Sequence, residues 1–114
     1  MNDTTSHSTA VLLIAHGSRR SAANAELVDV AEQVRATGRF PIVEIAYLEL
    51  AEPTIPAGMQ KCLEQSPQRV LLMPYFLSPG VHVVNDLEEY RERFAQESPA
   101  VEFQICDPLG LALR

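Results

Sequence analysis

The chain has 114 residues, 46% of them apolar, with 9 basic and 15 acidic side chains for a formal net charge of −6. That length makes one domain with a single core. The acidic balance argues against general nucleic-acid binding, which needs clustered Lys and Arg, and no apolar run approaches the roughly 20 residues that span a bilayer.

The opening MNDTTSHSTA has neither the basic nor the apolar region of a signal peptide. Residues 1–9 read as a disordered polar tail that includes His7, ahead of a single α/β domain over residues 10–114. Cys62 and Cys106 form no CxxC pair. They read as reduced, packed thiols of a cytoplasmic protein.

Ala10 to Ala15 is a continuous apolar run, as expected of a central parallel strand covered on both faces. From Ser21 to about Ala36, apolar residues at Ala23, Leu27, Val30, Ala31 and Val34 form one helical stripe, and Gly38 suits the helix end. Pro41 to Leu50 is β-branched, with Glu44 interrupting it, which suits an edge strand. Ile55, Met59, Cys62 and Leu63 then fall on one helical stripe whose prolines are confined to its start.

Arg69 to Leu77 reads as the third strand, stopped by Ser-Pro-Gly. In the next helix Asn85 or Asp86 is placed to cap, with Glu88 or Glu89 three residues on and Leu87, Tyr90 and Phe94 pointing inward. Val101 to Cys106 reads as the fourth strand. The alternation predicts a small four-stranded parallel sheet flanked by helices, and the common flavodoxin-like order 2-1-3-4 is expected for it, with strand one between strands two and three. Right-handed crossovers would put the first helix on one face and the second and third on the other.

In such sheets ligands bind beyond the carboxyl ends of the strands, where strand order reverses. His16 follows the first strand, Glu49 ends the second and His82 follows the third. Two imidazoles and a carboxylate converging on one rim suit a divalent first-row metal with open positions. Arg19 and Arg20, at a helix N-terminus, suit an anion or carboxylate. Each residue also has a plainer reading. Glu49 can be a solvated acid and His82 a solvent-facing side chain, while Gly17 and Ser18 can simply make the turn, with Ser18 or Ser21 as N-cap. Arg19 and Arg20 can be solvated, and Tyr47 and Tyr75 read as packing residues.

Three segments, LLIAHGSRR continuing to Asn24, YLELAEPTI and PYFLSPGVHVVNDL, together with DPLG near the end, resemble the CbiX family of sirohydrochlorin chelatases. HGSR followed by P-x-F-L-x-x-G-x-H at this spacing is specific, and the likeness covers nearly the whole chain. The resemblance implies a chelatase-like fold and an enzyme that inserts cobalt, iron or nickel into a reduced tetrapyrrole, on routes to cobalamin, siroheme or a nickel tetrapyrrole. It implies His16 and His82 as the active-site histidines and Glu49 as the acidic metal-binding position. The metal (Co2+, Fe2+ or Ni2+) is a substrate, and no other prosthetic group is implied. A carboxylate-rich sirohydrochlorin makes Arg19 and Arg20 candidates for holding it.

Larger relatives enclose the tetrapyrrole between two such domains, and the short form pairs two subunits. The resemblance therefore implies a homodimer, with no nucleic-acid or membrane partner. The family continues into a final helix that LGLALR does not supply, so one sheet face is expected to stay partly uncovered, through truncation or because oligomerisation covers it. Two other readings compete. One is a metal or tetrapyrrole carrier with the same site. The other is a histidine phosphatase, which wants an Arg immediately before the histidine, where Ala15 stands.

Overall fold

The computed structural model describes residues 9–75 and 81–106, with the backbone alone at 81–84. The described elements are β1 (Thr9–Ala15), α1 (Ser21–Thr37), β2 (Ile42–Tyr47), α2 (Ile55–Leu63), β3 (Arg69–Pro74), α3 (Val81–Glu97) and β4 (Glu102–Ile105). The strands form one parallel sheet in the order β2-β1-β3-β4, as expected.

β1 is central and every one of its residues is buried. Its side chains alternate between the two faces, as the pleat requires. Ala10, Leu12 and Ile14 join a core with Ile55, Met59 and Cys62 of α2 and Leu87 and Phe94 of α3. Val11, Leu13 and Ala15 face Leu27 and Ala31 of α1. Helix α1 thus lies on one side and α2 with α3 on the other, the arrangement that right-handed crossovers impose. Each fully buried Leu or Ile contributes about 2 kcal/mol relative to exposure. On the α1 side, Leu71, Met73 and Tyr75 are only partly buried.

Local chemistry accounts for the ends. Gly38 closes α1 in the left-handed conformation, φ 72°, its N–H donating to the Arg35 carbonyl at 3.1 Å. The Thr54 hydroxyl caps α2 by accepting from the Ala57 N–H at 3.2 Å. Helix α1 has Arg20 at its N-cap position with no side-chain cap, so neither Ser18 nor Ser21 caps it. Ser18 Oγ instead accepts from the Arg20 N–H at 3.0 Å. Glu44 is tolerated on β2 because the strand is an edge, where its carboxylate accepts from Gln65 Nε2 at 3.2 Å.

Several boundaries move. Helix α3 begins at Val81, so Asn85 and Asp86 lie inside it and do not cap it. Val81, Val83 and Val84 are β-branched, and their weak helix propensity hid this first turn; propensity is a weak prior beside tertiary context. β2 ends at Tyr47, β3 at Pro74 and β4 at Ile105, so each strand is shorter than its apolar run. His7 and the DPLG and LGLALR segments lie outside the described residues.

Candidate functional site

The rim at the carboxyl end of β1 is held by backbone bonds beyond the regular ladder. Leu48 N–H donates to the Ala15 carbonyl at 2.9 Å, and Glu49 N–H to the His16 carbonyl at 3.0 Å. The edge chain therefore continues beside the turn after β1, although β2 has formally ended. Gly17 makes this approach possible. Its φ is 100°, and a Cβ there would stand 1.7 Å from the Glu49 carbonyl oxygen.

The consequence is a side-chain pair. His16 Nε2 lies 3.2 Å from Glu49 Oε2, with the two side chains 50% and 58% exposed. Both groups are anchored by hydrogen-bonded backbone yet open to solvent, as a site for an incoming ion requires.

The turn carrying His16 has a second brace. The Asn24 side chain accepts from the Ser18 N–H at 2.9 Å and donates to the Ser18 carbonyl at 2.7 Å. Tyr47, 3% exposed, donates its hydroxyl to the Asn24 carbonyl at 2.5 Å, and burial pushes its phenol up from the ordinary range. These residues surround a shallow depression of about 280 Å3 lined by His16, Gly17, Ser18, Asn24 and Tyr47 among others. Sequence reasoning treated Tyr47 as packing and gave Asn24 no task. Asn24, on the first turn of the helix after a His-Gly-Ser turn, was the available signal.

The other predicted residues fall as follows. Arg19 and Arg20 are exposed at the start of α1, three and four residues after His16, and their guanidinium groups make no ion pair among the described residues. His82 is the second residue of α3, the helix that follows β3, rather than part of a loop; its side chain lies outside what is described. Among the described residues, no third His, Cys, Asp or Glu completes a metal-binding group with His16 and Glu49. A larger cleft of about 330 Å3 is lined by Leu48, Asp86, Glu89, Tyr90 and Arg93. It touches neither member of the pair, and its two carboxylates stand with Arg93 and no imidazole.

The fold and this rim define a class: a parallel α/β domain that presents an open imidazole–carboxylate pair at the point where strand order reverses. The chain belongs to the CbiX family, whose model matches residues 10–113. It is 42% identical over 78 residues to the sirohydrochlorin cobaltochelatase of Methanocaldococcus jannaschii, covering 68% of this chain and 54% of that protein. It is 35% identical over 100 residues to the chloroplastic sirohydrochlorin ferrochelatase of Arabidopsis thaliana, covering 88% and 44%. The crystal structure of the sirohydrochlorin chelatase SirB from Bacillus subtilis subspecies spizizenii in complex with cobalt superposes with a TM-score of 0.79 at 32% identity, covering 88% of this chain and 43% of that one. The chain spans about half the length of the curated relatives it matches.

Proposed function

We propose that this protein is a metal chelatase that inserts a divalent ion, cobalt foremost with iron or nickel as alternatives, into sirohydrochlorin. The observation that carries the reading is the His16–Glu49 pair. Two donor atoms each about 2.1 Å from one metal, at angles between octahedral and tetrahedral, stand about 3.0–3.4 Å apart. The 3.2 Å separation of Nε2 and Oε2 fits that spacing. An imidazole with a carboxylate suits cobalt, iron and nickel alike, so donor type does not choose among them. The relatives divide the same way, one being named for cobalt and another for iron.

In this reading His16, Glu49 and His82 receive the metal on the rim. As the metal passes into the macrocycle, two pyrrole N–H protons leave, and the ring nitrogens of His16 and His82 that the ion vacates are free to accept them. Glu49 holds and orients the ion by charge. Arg19 and Arg20, free of ion pairs among the described residues, hold substrate carboxylates. A second copy closing the open rim as a homodimer would exclude water from the metal, and the reaction belongs in the cytoplasm. No helix among the described residues is long and apolar enough to cross a membrane.

An anaerobic assay with sirohydrochlorin and cobalt tests this. Rapid insertion supports the chelatase. Tight binding without turnover would instead establish a carrier, and phosphate release from phosphoesters a histidine phosphatase. His16→Ala and Glu49→Gln should each slow insertion by about a hundredfold or more. Because both side chains are half exposed, the thermal midpoint should hardly move. Wild-type rates in both variants would remove the pair from the site.

A further inference from the structure

Leu50 stands directly after Glu49 in an unusual state. Its φ is 67°, in the left-handed region, and it is 53% exposed. The other described non-glycine residue with positive φ is Ser66, a small polar residue in the turn after α2. Leucine has no side-chain oxygen with which to offset the left-handed clash, as Asn or Asp has. On local grounds this position calls for Gly or Asn.

The neighbours impose the conformation. Glu49 N–H is tied to the His16 carbonyl at 3.0 Å and Tyr47 N–H to the Pro53 carbonyl at 2.8 Å. The chain must turn between these two anchors, and Leu50, the residue directly after the half-exposed Glu49, is left half exposed at that turn. An apolar side chain here is disfavoured twice, by backbone strain and by contact with water. Strain of this kind collects at ligand clamps. Val28, 43% exposed on α1, shows the contrast: it sits on a regular helix and needs no such explanation.

We infer that Leu50 is a substrate-contact residue whose side chain packs against the macrocycle brought to His16 and Glu49. A metal ion alone has no use for an apolar neighbour. A ligand that offers the metal ring nitrogens on a flat, conjugated, largely apolar body does. The inference rests on the chelatase reading and adds a specificity element to it: Leu50 recognises the ring, while charge recognises its carboxylates.

The test uses Leu50→Gly and Leu50→Asn, which both accommodate the left-handed backbone, and Leu50→Met, which keeps the apolar contact. KM for sirohydrochlorin should rise about fivefold in the Gly and Asn variants, the effect of uncovering roughly half a leucine side chain, and Met should restore it to within about twofold. Cobalt affinity without tetrapyrrole, read by calorimetry, should match wild type in all three. An unchanged KM in both polar-tolerant variants overturns the inference. So does a parallel loss of cobalt affinity, which would mean the loop had moved Glu49. If the variants dissociate a dimer and higher protein concentration restores KM, Leu50 contacts a second copy and the substrate contact is refuted. Wild-type protein that neither binds nor metallates sirohydrochlorin would instead fail the chelatase reading, and Leu50 with it.

Discussion

At Gly58, helix α2 lies against the edge strand. A Cβ there would stand 2.6 Å from the Ile45 carbonyl oxygen and 3.0 Å from both Ala46 Cβ and Leu12 Cδ1. At Gly17, the turn after β1 lies against the chain that extends β2, and a Cβ would stand 1.7 Å from the Glu49 carbonyl oxygen. Both glycines let backbone approach backbone, but to different ends. Gly58 is buried in a helix and only space excludes a side chain. Gly17 is excluded by space and by its φ of 100°, and what it brings together is His16 with Glu49. The same device builds the core at one place and the candidate site at the other.

The comparison breaks or holds first on alanine substitution. Gly17→Ala should destabilise by about 3–5 kcal/mol, since backbone must move and the left-handed conformation is strained. Gly58→Ala should cost about 2 kcal/mol, the range of overpacking. The decisive measurement is cobalt affinity at a temperature where both variants remain folded. Gly17→Ala should lose it at least tenfold, on the order of 1.4 kcal/mol, whereas Gly58→Ala should keep it. Equal losses in the two variants would show that the rim is no more specialised than the core.

A smaller effect sharpens the same contrast. Asn24 bonds both the N–H and the carbonyl of half-buried Ser18. Asn24→Ala leaves both without these partners and should destabilise by about 1–3 kcal/mol in urea titration. Asn24→Asp keeps an acceptor for the Ser18 N–H but cannot donate to its carbonyl, so it should fall between. Stability of Asn24→Ala equal to wild type would mean that the turn stands without its brace.

The smallest effect belongs to the core side. Burial, and then the nearby charge of Glu44, push the Cys62 thiol from 9.0 to about 12. The folded state therefore holds its proton after the unfolded state has lost it. This contribution is fully present below pH 9 and is lost as pH rises toward 12, at up to about 1.4 kcal/mol per pH unit. Urea midpoints at pH 8 and pH 10 should show a drop in the wild type that is smaller in Cys62→Ala. An identical drop in both would mean that Cys62 ionises as freely in the folded protein as in the unfolded one.

Much of this architecture could be read from residues alone. The apolar run of β1, the stripes of α1 and α2 and the strand–helix alternation are local periodicities, and they led to the order β2-β1-β3-β4. Where local signals conflicted, reading failed: the valines around His82 hid the first turn of α3, and the apolar runs overstated the strands. The candidate site divided in the same way. His16 is marked by the strand leading into it, whereas Asn24 is marked only by its place after the His-Gly-Ser turn, and its task stays hidden because its partners are the main-chain N–H and carbonyl of Ser18.

The strands, the helices and the hand of their crossovers follow from hydrophobic period and short-range rules, and the commonest order for such a sheet then marks the rim on which the chemistry collects. That His16 and Glu49, 33 residues apart, stand within hydrogen-bond reach follows only from the folded arrangement. The same packing requires Gly17 to be bare for them to do so and leaves Leu50, next to Glu49 in the chain, half exposed. Those facts depend on how two chain segments lie against each other to within an ångström. Close backbone approach of that kind is set by the packing of the whole sheet and its helices, not by any run of neighbouring residues.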